Sequence, residues 1–170
     1  MRRDTGRDMT SGRDLRSNFN AADDSPGFLL WQITNRWQAA QRAALKPLGL
    51  THVQFVLLAS LTWLRTEGPV NQRVLADYAS TDPMMTSQVL RALEARDLVE
   101  RAKNPGDRRA RSITVTKEGQ TLANRAIVVV EDCDRSFFDP LEDVACFVRA
   151  LQLLRSSSAR SSARSSAPPE

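Results

Sequence analysis

Apolar residues recur at helical spacing along most of the chain between residues 28 and 154. The first such segment, about residues 28–45, is apolar on more than one face, which indicates packing against its own core and against a partner subunit. The second segment begins at Thr51, where Thr51 and Gln54 form a capping-box pattern, and Gly68-Pro69 ends it. The pattern predicts a mainly α-helical domain.

Two short helices are predicted between residues 71 and 95. Asn71 is suited to cap the first of them, and Asp82-Pro83 opens the second, because the Asp carboxylate accepts from free amides and proline fits the first helical position. Two short helices joined by a tight turn are typical of a helix–turn–helix. The apolar side chains expected to be buried in the first helix are Val74, Leu75 and Tyr78.

A β-hairpin is predicted directly after the second short helix. Leu98-Val99 and residues 113–115 are short apolar runs, and Asn104-Pro105-Gly106 supplies the turn between them. A helix–turn–helix followed by a hairpin is typical of a winged DNA-binding module. We therefore predict a mainly α fold with a small β-hairpin wing, whose DNA-binding core covers about residues 50–116.

Two amphipathic helices are predicted after the hairpin. The first runs from about Thr116, a natural N-cap, to Phe138, and the second runs from about Pro140 to Leu154. A small winged domain leaves little surface to cover both apolar stripes. We therefore expect dimerisation helices at residues 26–48 and 117–154, which flank the DNA-binding core within one domain at 26–154.

The two ends of the chain lack this periodicity. Residues 1–25 are rich in Gly, Asp and Arg, and residues 155–170 repeat Ser, Ala and Arg, so both are predicted to be disordered. The formal net charge is +4 and the pI is about 9.7. Because five Arg and five Asp cancel within residues 1–25, the positive excess lies mainly in the hairpin and the Arg-containing tail.

The outer face of the second short helix carries candidate base contacts. Its residues recur at helical spacing and include no acid before Glu94, which would repel phosphate. Gln88 can pair bidentately with adenine, Arg91 can meet guanine or phosphate, and Met84 can touch a thymine methyl. The face consists of Met84, Ser87, Gln88, Arg91 and Ala95.

The predicted hairpin concentrates positive charge. Like charges at close range repel, so this cluster makes sense when a polyanion neutralises it. In Asp107-x-Arg109, the carboxylate can hold the Arg109 guanidinium extended into a minor groove. The remaining cations are expected to bind the phosphate backbone: Arg101, Lys103, Arg108 and Arg111.

The sequence lacks the features of a membrane protein, a secreted protein or an enzyme. No run of about 18 apolar residues is present, and the N-terminal segment lacks the apolar region of a signal peptide. Two cysteines, Cys133 and Cys146, are too few for a disulfide framework, so we expect a reducing cytoplasm. One histidine, no metal-ligand cluster and no Gly-rich phosphate loop argue against catalysis, a metal or a cofactor.

Several motifs keep a fixed order and spacing over about residues 28–154. They are Leu75-Ala76, the helix at 82–93, Leu-Val-Glu-Arg at 98–101, Asn-Pro-x-Asp-Arg-Arg-Ala at 104–110 and Val-Thr-x-x-Gly at 115–119. Together they resemble the multiple-antibiotic-resistance (MarR) family of bacterial transcriptional regulators. Asp97 stands where that family usually has Gly, and Asp tolerates the left-handed conformation better than most residues.

The resemblance implies a winged-helix homodimer joined through its N- and C-terminal helices. Its recognition helices would occupy successive major grooves of a palindromic operator. Such proteins are often repressors that small aromatic or phenolic ligands release, and some respond to oxidation of cysteine.

The sensing part of this hypothesis has alternatives. An effector pocket between the first, second and fifth predicted helices would be lined by Trp31, Trp37, His52 and Phe55, which could equally be ordinary core aromatics. Cys133 and Cys146 could form a redox pair, but both fall on apolar stripes, where buried thiols are usually inert. The winged module could also bind an acidic protein partner through the basic hairpin.

Overall fold

The computed structural model describes residues 16–64, 70–104 and 107–165, with side chains described at 16–64, 70–101 and 112–156. Helices and strands follow one another in the order α1 (Pro26–Leu45), α2 (His52–Leu64), β1 (Val70–Asn71), α3 (Gln72–Ala79), α4 (Pro83–Glu94), β2 (Val99–Asn104), β3 (Asp107–Val115), α5 (Lys117–Phe138) and α6 (Val144–Ser165). A mainly helical fold with a small wing is confirmed.

The chain divides into two compact units, residues 1–37 and residues 38–170. In the first unit, the described part holds a short 3-10 turn at Ala22–Asp24 and the first turns of α1. The rings of Phe28 and Trp31 stack there, with centroids 6.1 Å apart and planes inclined by 11°. Of the N-terminal arm predicted to be disordered, residues 1–15 lie outside the described residues.

The core of the second unit is built around α2. Leu57, Leu58 and Leu61 are buried on different sides of this helix, which packs against α3, α4 and the hairpin in one cluster. A second cluster joins α2 to α5 through Phe55, Ala126 and their neighbours. Because α2 is covered on several sides, it fixes the position of the helix–turn–helix relative to the strands.

The predicted caps of α2 and α3 are confirmed. The Thr51 amide donates to Gln54 Oε1 over 3.0 Å, and the Gln54 amide donates to Thr51 Oγ1 over 3.2 Å, which is the reciprocal capping box. Asn71 Oδ1 accepts from the Val74 amide at 2.9 Å. These helix starts depend on residues a few positions apart, so the sequence alone reveals them.

The buried face of α3 differs from the prediction. Leu75 and Ala76 are buried, whereas Val74 is 45% exposed and Tyr78 is 54% exposed. Val74 and Tyr78 lie four residues apart and so share one stripe of the helix, and that stripe faces away from the core. The expectation that Val74 and Tyr78 are buried was wrong, because the helix presents the small Ala76 to its neighbours instead.

The sheet has three strands in the order β1-β3-β2. The predicted hairpin is present, with Val99 opposite Val115 and Lys103 opposite Arg111. Strand β1 was not predicted, since two residues are too few for a periodic pattern; it pairs Val70 with Ile113. Through β1, the sheet connects directly to the first residue of α3.

The last two helices have partly different bounds from those expected. Thr116 caps α5 as predicted, accepting from the Gly119 amide at 3.0 Å. Helix α6 begins at Val144 and not at Pro140, because the Asp143 carboxylate accepts from the Cys146 amide at 2.8 Å and so caps the helix there. The helix also continues past Leu154 to Ser165, since adding residues to a formed helix is far easier than nucleating one. The sequence predicted residues 155–170 to be disordered, whereas residues 155–165 continue the helix; residues 166–170 lie outside the described residues.

No single helix in the described ranges is long and apolar enough to cross a membrane. Helices α1 and α2 are long and apolar enough only when they are taken together across a bend. Most of the residues of α2 are buried in the core.

Candidate nucleic-acid interface

Helix α4 starts from a strong N-terminal cap. One carboxylate oxygen of Asp82 accepts from the Met84 amide at 2.9 Å and from the Met85 amide at 3.0 Å, and Pro83 occupies the first helical position. Both features were predicted from the Asp-Pro pair. The first turn of the helix is therefore fixed before any ligand binds.

A small hydroxyl network holds the turn between α3 and α4. Ser80 ends α3 in the left-handed region, with φ 51°. The Thr86 hydroxyl donates to the Asp82 carbonyl oxygen over 2.8 Å and lies 2.8 Å from the Thr81 hydroxyl, which must then be the donor of that second bond. Since Thr86 is fully buried, these bonds fix the angle between the two helices.

The two faces of α4 differ in burial, and the exposed one is the outer face that the sequence predicted. Thr86, Leu90 and Leu93 are buried, and Val89 packs at the edge of the core. On the other face Met84 is 72% exposed, Gln88 and Arg91 are exposed, and Ser87 is half-buried. The structure thus brings the four predicted base-contact residues of this helix onto one accessible face, and their contact with DNA stays a prediction.

The C-terminal end of α4 is tied to two other elements. Asp97 follows the helix with φ 55°, the left-handed conformation that the family resemblance implied for this position. Arg96 Nη1 donates to the Gly49 carbonyl oxygen over 2.8 Å, which connects the end of α4 to the segment before α2. The Thr116 hydroxyl donates to the Asp97 carbonyl oxygen over 2.7 Å, which connects the same turn to the start of α5.

The backbone of the wing is described, but its tip and most of its cationic side chains are not. The β2–β3 ladder reaches Asn104 opposite Asp107, with an irregularity after Lys103. The side chains of five predicted DNA contacts lie outside the described residues, and their assignments stay predictions: Lys103, Asp107, Arg108, Arg109 and Arg111.

Arg101 is the one predicted wing contact whose side chain is described. Its side chain is 16% exposed, and its Nε lies 3.2 Å from a carboxylate oxygen of Glu94 at the end of α4. Sequence reasoning grouped Arg101 with the phosphate-binding cations because of its charge. The structure places its guanidinium between the wing and α4, a relationship that no local sequence pattern reveals.

The four predicted pocket residues have different environments. In the first unit Trp31 is 64% exposed and Trp37 is half-buried. In the second unit Phe55 is buried in a core cluster, and His52 is half-buried. Burial lowers the pKa of His52 and Arg42 adds to the decrease, while the Asp134 carboxylate opposes it. The effector pocket stays a prediction.

A polar pair between buried Gln41 and half-buried Asp134 was missed by sequence reasoning. Gln41 is fully buried in α1, and its Nε2 donates to the Asp134 carboxylate over 2.5 Å. Its Oε1 makes no hydrogen bond to the residues that the structure describes. Gln41 lies four residues before Leu45 and so shares its helical face, which was the available signal.

Both cysteines are free thiols. Cys133 is half-buried, and burial together with the Asp134 carboxylate raises the pKa of its thiol. Cys146 is exposed, so the expectation that both thiols are buried in apolar stripes was wrong for this residue. It lies in the first turn of α6, a helix whose apolar side chains are exposed in the described part of the chain.

Comparisons with known proteins agree with this arrangement. A sequence model of the MarR family matches residues 50–110. The chain is 41% identical over 139 residues to the HTH-type transcriptional regulator YdcH of Bacillus subtilis, which covers 81% of this chain and 95% of the relative. It is 38% identical over 114 residues to an HTH-type transcriptional repressor of Mycobacterium tuberculosis, covering 66% of this chain and 80% of that protein. The crystal structure of CouR from Rhodococcus jostii bound to p-coumaroyl-CoA is similar, with a TM-score of 0.68 and 30% identity over 79% of this chain and 93% of CouR.

Proposed function

The chain belongs to the MarR family of DNA-binding transcriptional regulators, and we propose that it is a cytoplasmic homodimeric repressor that binds a palindromic operator and is released by a small-molecule effector. The observation that carries this proposal is the outer face of α4. It is accessible, it contains no acidic residue from Met84 to Arg91, and it is followed directly by a hairpin rich in arginine.

We assign α4 to the major groove of the operator. Its accessible N-terminal half presents a thioether, a hydroxyl and an amide at Met84, Ser87 and Gln88, which suit base edges and thymine methyls. Arg91 lies one turn further along, where a guanidinium can reach guanine or a phosphate. The fixed cap at Asp82 supports this role, because a helix with a rigid first turn presents these groups in one orientation.

The wing supplies the backbone contacts in this proposal. Arg109 enters the minor groove beside the half-site, held by Asp107, and Lys103, Arg108 and Arg111 bind phosphate. This division predicts a strong dependence of affinity on salt, since each neutralised phosphate releases condensed counterions.

A dimer is supported by the apolar surface of α6. Four of its residues at helical spacing are exposed in the chain: Val144, Val148, Leu151 and Leu154. A stripe of this kind is normally covered, and a second copy of the same helix covers it with two-fold symmetry. Two recognition helices related in this way would meet an inverted repeat with half-sites about one helical turn, roughly 10 base pairs, apart.

Release by an effector is supported by the relatives. CouR was crystallised with p-coumaroyl-CoA, an aromatic acyl thioester, at 30% identity to this chain. We propose that this chain also responds to an aromatic effector. Its binding would lower operator affinity by favouring a spacing of the two α4 helices that no longer matches the DNA.

The experiment that tests the proposal is a gel shift with the promoter regions that flank the gene of this protein. We expect a retarded band with one fragment at nanomolar protein, resistant to excess unrelated duplex. Light scattering on the same sample should give twice the mass of the chain. No retarded band with any fragment at low salt would contradict the proposal and favour an acidic protein partner for the hairpin.

A further inference from the structure

We infer that Arg101 is a positioning residue that, paired with Glu94, holds the wing at a fixed angle to α4 and does not itself bind phosphate. This inference rests on the proposed DNA-binding function and changes the part assigned to one of its cations. It concerns the tertiary contact that connects the two DNA-binding elements.

Strand alternation places Arg101 on the inner side of the hairpin. Val99, two residues earlier on β2, is buried, and residues two apart on a strand share one face. Ile113 lies directly opposite Arg101 on β3 and is buried as well. Arg101 therefore occupies the position where the apolar inner face of the hairpin ends, beside the last turn of α4.

The guanidinium of Arg101 is poorly placed to meet DNA. Its Nε and Nη2 are shielded from solvent and make no hydrogen bond within the described ranges. A phosphate needs access to these donors, and the side chain is only 16% exposed. The Glu94 carboxylate, 3.2 Å from Nε, is the charge that compensates this cation.

A glutamate is unfavourable at the position of Glu94 unless its ion pair with Arg101 has a structural role. It lies at the C-terminal end of α4, where the helix dipole disfavours negative charge. It also lies on the helix proposed to approach DNA, where a carboxylate repels phosphate. Removing its charge would relieve both repulsions and strengthen DNA binding if the contact with Arg101 contributed nothing.

The test is a double-mutant cycle on operator affinity with Glu94→Gln, Arg101→Gln and the double variant, measured at several salt concentrations. Glu100→Gln is the matched control, because Glu100 is an exposed acid of the same strand that makes no described ion pair. We expect each single substitution at the pair to raise Kd by about threefold to tenfold and the double variant to add less than about twofold, as coupled residues do. The control should leave Kd unchanged or lower it slightly.

The salt dependence separates positioning from phosphate binding. A lost phosphate contact reduces the slope of log K against log salt by about 0.9 per contact. We expect the slope for Arg101→Gln to equal that of the unmodified protein. A reduced slope, or tighter binding by Glu94→Gln, would overturn the inference.

Hydrogen exchange of the free protein tests the inference without DNA. We expect Glu94→Gln, which changes a 42% exposed side chain and should fold normally, to accelerate exchange of the β2 and β3 amides. Unchanged exchange would overturn the inference even if the protein bound no DNA at all. Failure of the unmodified protein to bind any duplex would instead contradict the proposed function.

Discussion

Gly119 lies so close to Leu98 that a Cβ atom at Gly119 would be 2.0 Å from the Leu98 carbonyl oxygen. The same Cβ would meet the Leu98 carbonyl carbon and Val115 Cγ2 at 2.9 Å. Backbone cannot yield as a flexible side chain does, so the first turn of α5 needs glycine where it crosses the base of the wing. This contact sets where the wing meets the rest of the domain.

We predict that Gly119→Ala lowers the free energy of unfolding by about 1–3 kcal/mol, as overpacking does. Denaturant unfolding followed by circular dichroism measures the change. Gly27→Ala is the matched control, because a Cβ there meets nothing within 4 Å and alanine favours a helix. If both substitutions leave stability unchanged, the close approach of α5 to Leu98 is not present in solution.

Asp97 in the left-handed region gives a second stability prediction. Alanine at φ 55° brings its Cβ toward the following carbonyl, which glycine avoids and aspartate partly tolerates. We expect Asp97→Ala to be less stable than Asp97→Gly by about 1 kcal/mol. Equal unfolding midpoints for the two variants would contradict the conformation of this turn.

Local signals predicted the parts of the fold that depend on neighbouring residues. Asp82, Asn71 and Thr116 each accept hydrogen bonds from amides two or three residues away, so their caps could be read from the sequence. The left-handed turn at Asp97 was instead implied by the family resemblance, because the family usually has glycine at this position. The outer face of α4 was also predicted correctly, because helical periodicity alone separates its residues from the buried Leu90 and Leu93.

The features that could not be predicted from the sequence depend on tertiary contacts. Val74 and Tyr78 have the apolar surface of core residues, yet α3 packs Leu75 and Ala76 into the core and leaves those two exposed. Strand β1 exists only because β3 offers it a partner. The charge of Arg101 suggested DNA, whereas its partner Glu94 is brought near by the hairpin folding back along α4.

The lowered pKa of His52 predicts how stability depends on pH. Because burial lowers this pKa below the unfolded value of about 6.5, the unfolded chain binds more protons in the interval below that value. The stabilising contribution of the neutral His52 imidazole is therefore fully present above about pH 6.5. It is lost as the pH falls through the folded pKa. His52 is the only histidine, so His52→Gln should lose less stability between pH 7 and pH 5.

Urea midpoints of the two proteins across that pH range measure the effect. The Asp134 carboxylate opposes the shift, so Asp134→Asn should make the loss of stability of the histidine-containing protein steeper. Parallel curves for His52→Gln and the unmodified protein would contradict the buried environment of the imidazole.

Substitutions should distinguish the residues that contact bases from those that contact the DNA backbone. We predict that Gln88→Ala relaxes preference at one base pair of each half-site by about 1–3 kcal/mol and leaves the salt slope unchanged. Arg109→Ala should weaken binding to every duplex. Competition with single-base operator variants measures the first effect, and fluorescence anisotropy at several salt concentrations measures the second.

Arg135→Ala serves as the control for both, since it removes an exposed positive charge from α5, outside the proposed interface. If Arg109→Ala keeps full affinity for all duplexes, the assignment of the wing is wrong. If Gln88→Ala keeps the full base preference, α4 does not read that position.

The most direct measurement is selection of bound duplexes from a random library, followed by sequencing. We predict enrichment of an inverted repeat whose half-sites lie about one helical turn apart, with specificity that Gln88→Ala alters at one position. Recovery of no sequence above its frequency in the starting library, even at low salt, would contradict the claim that α4 and the wing recognise DNA.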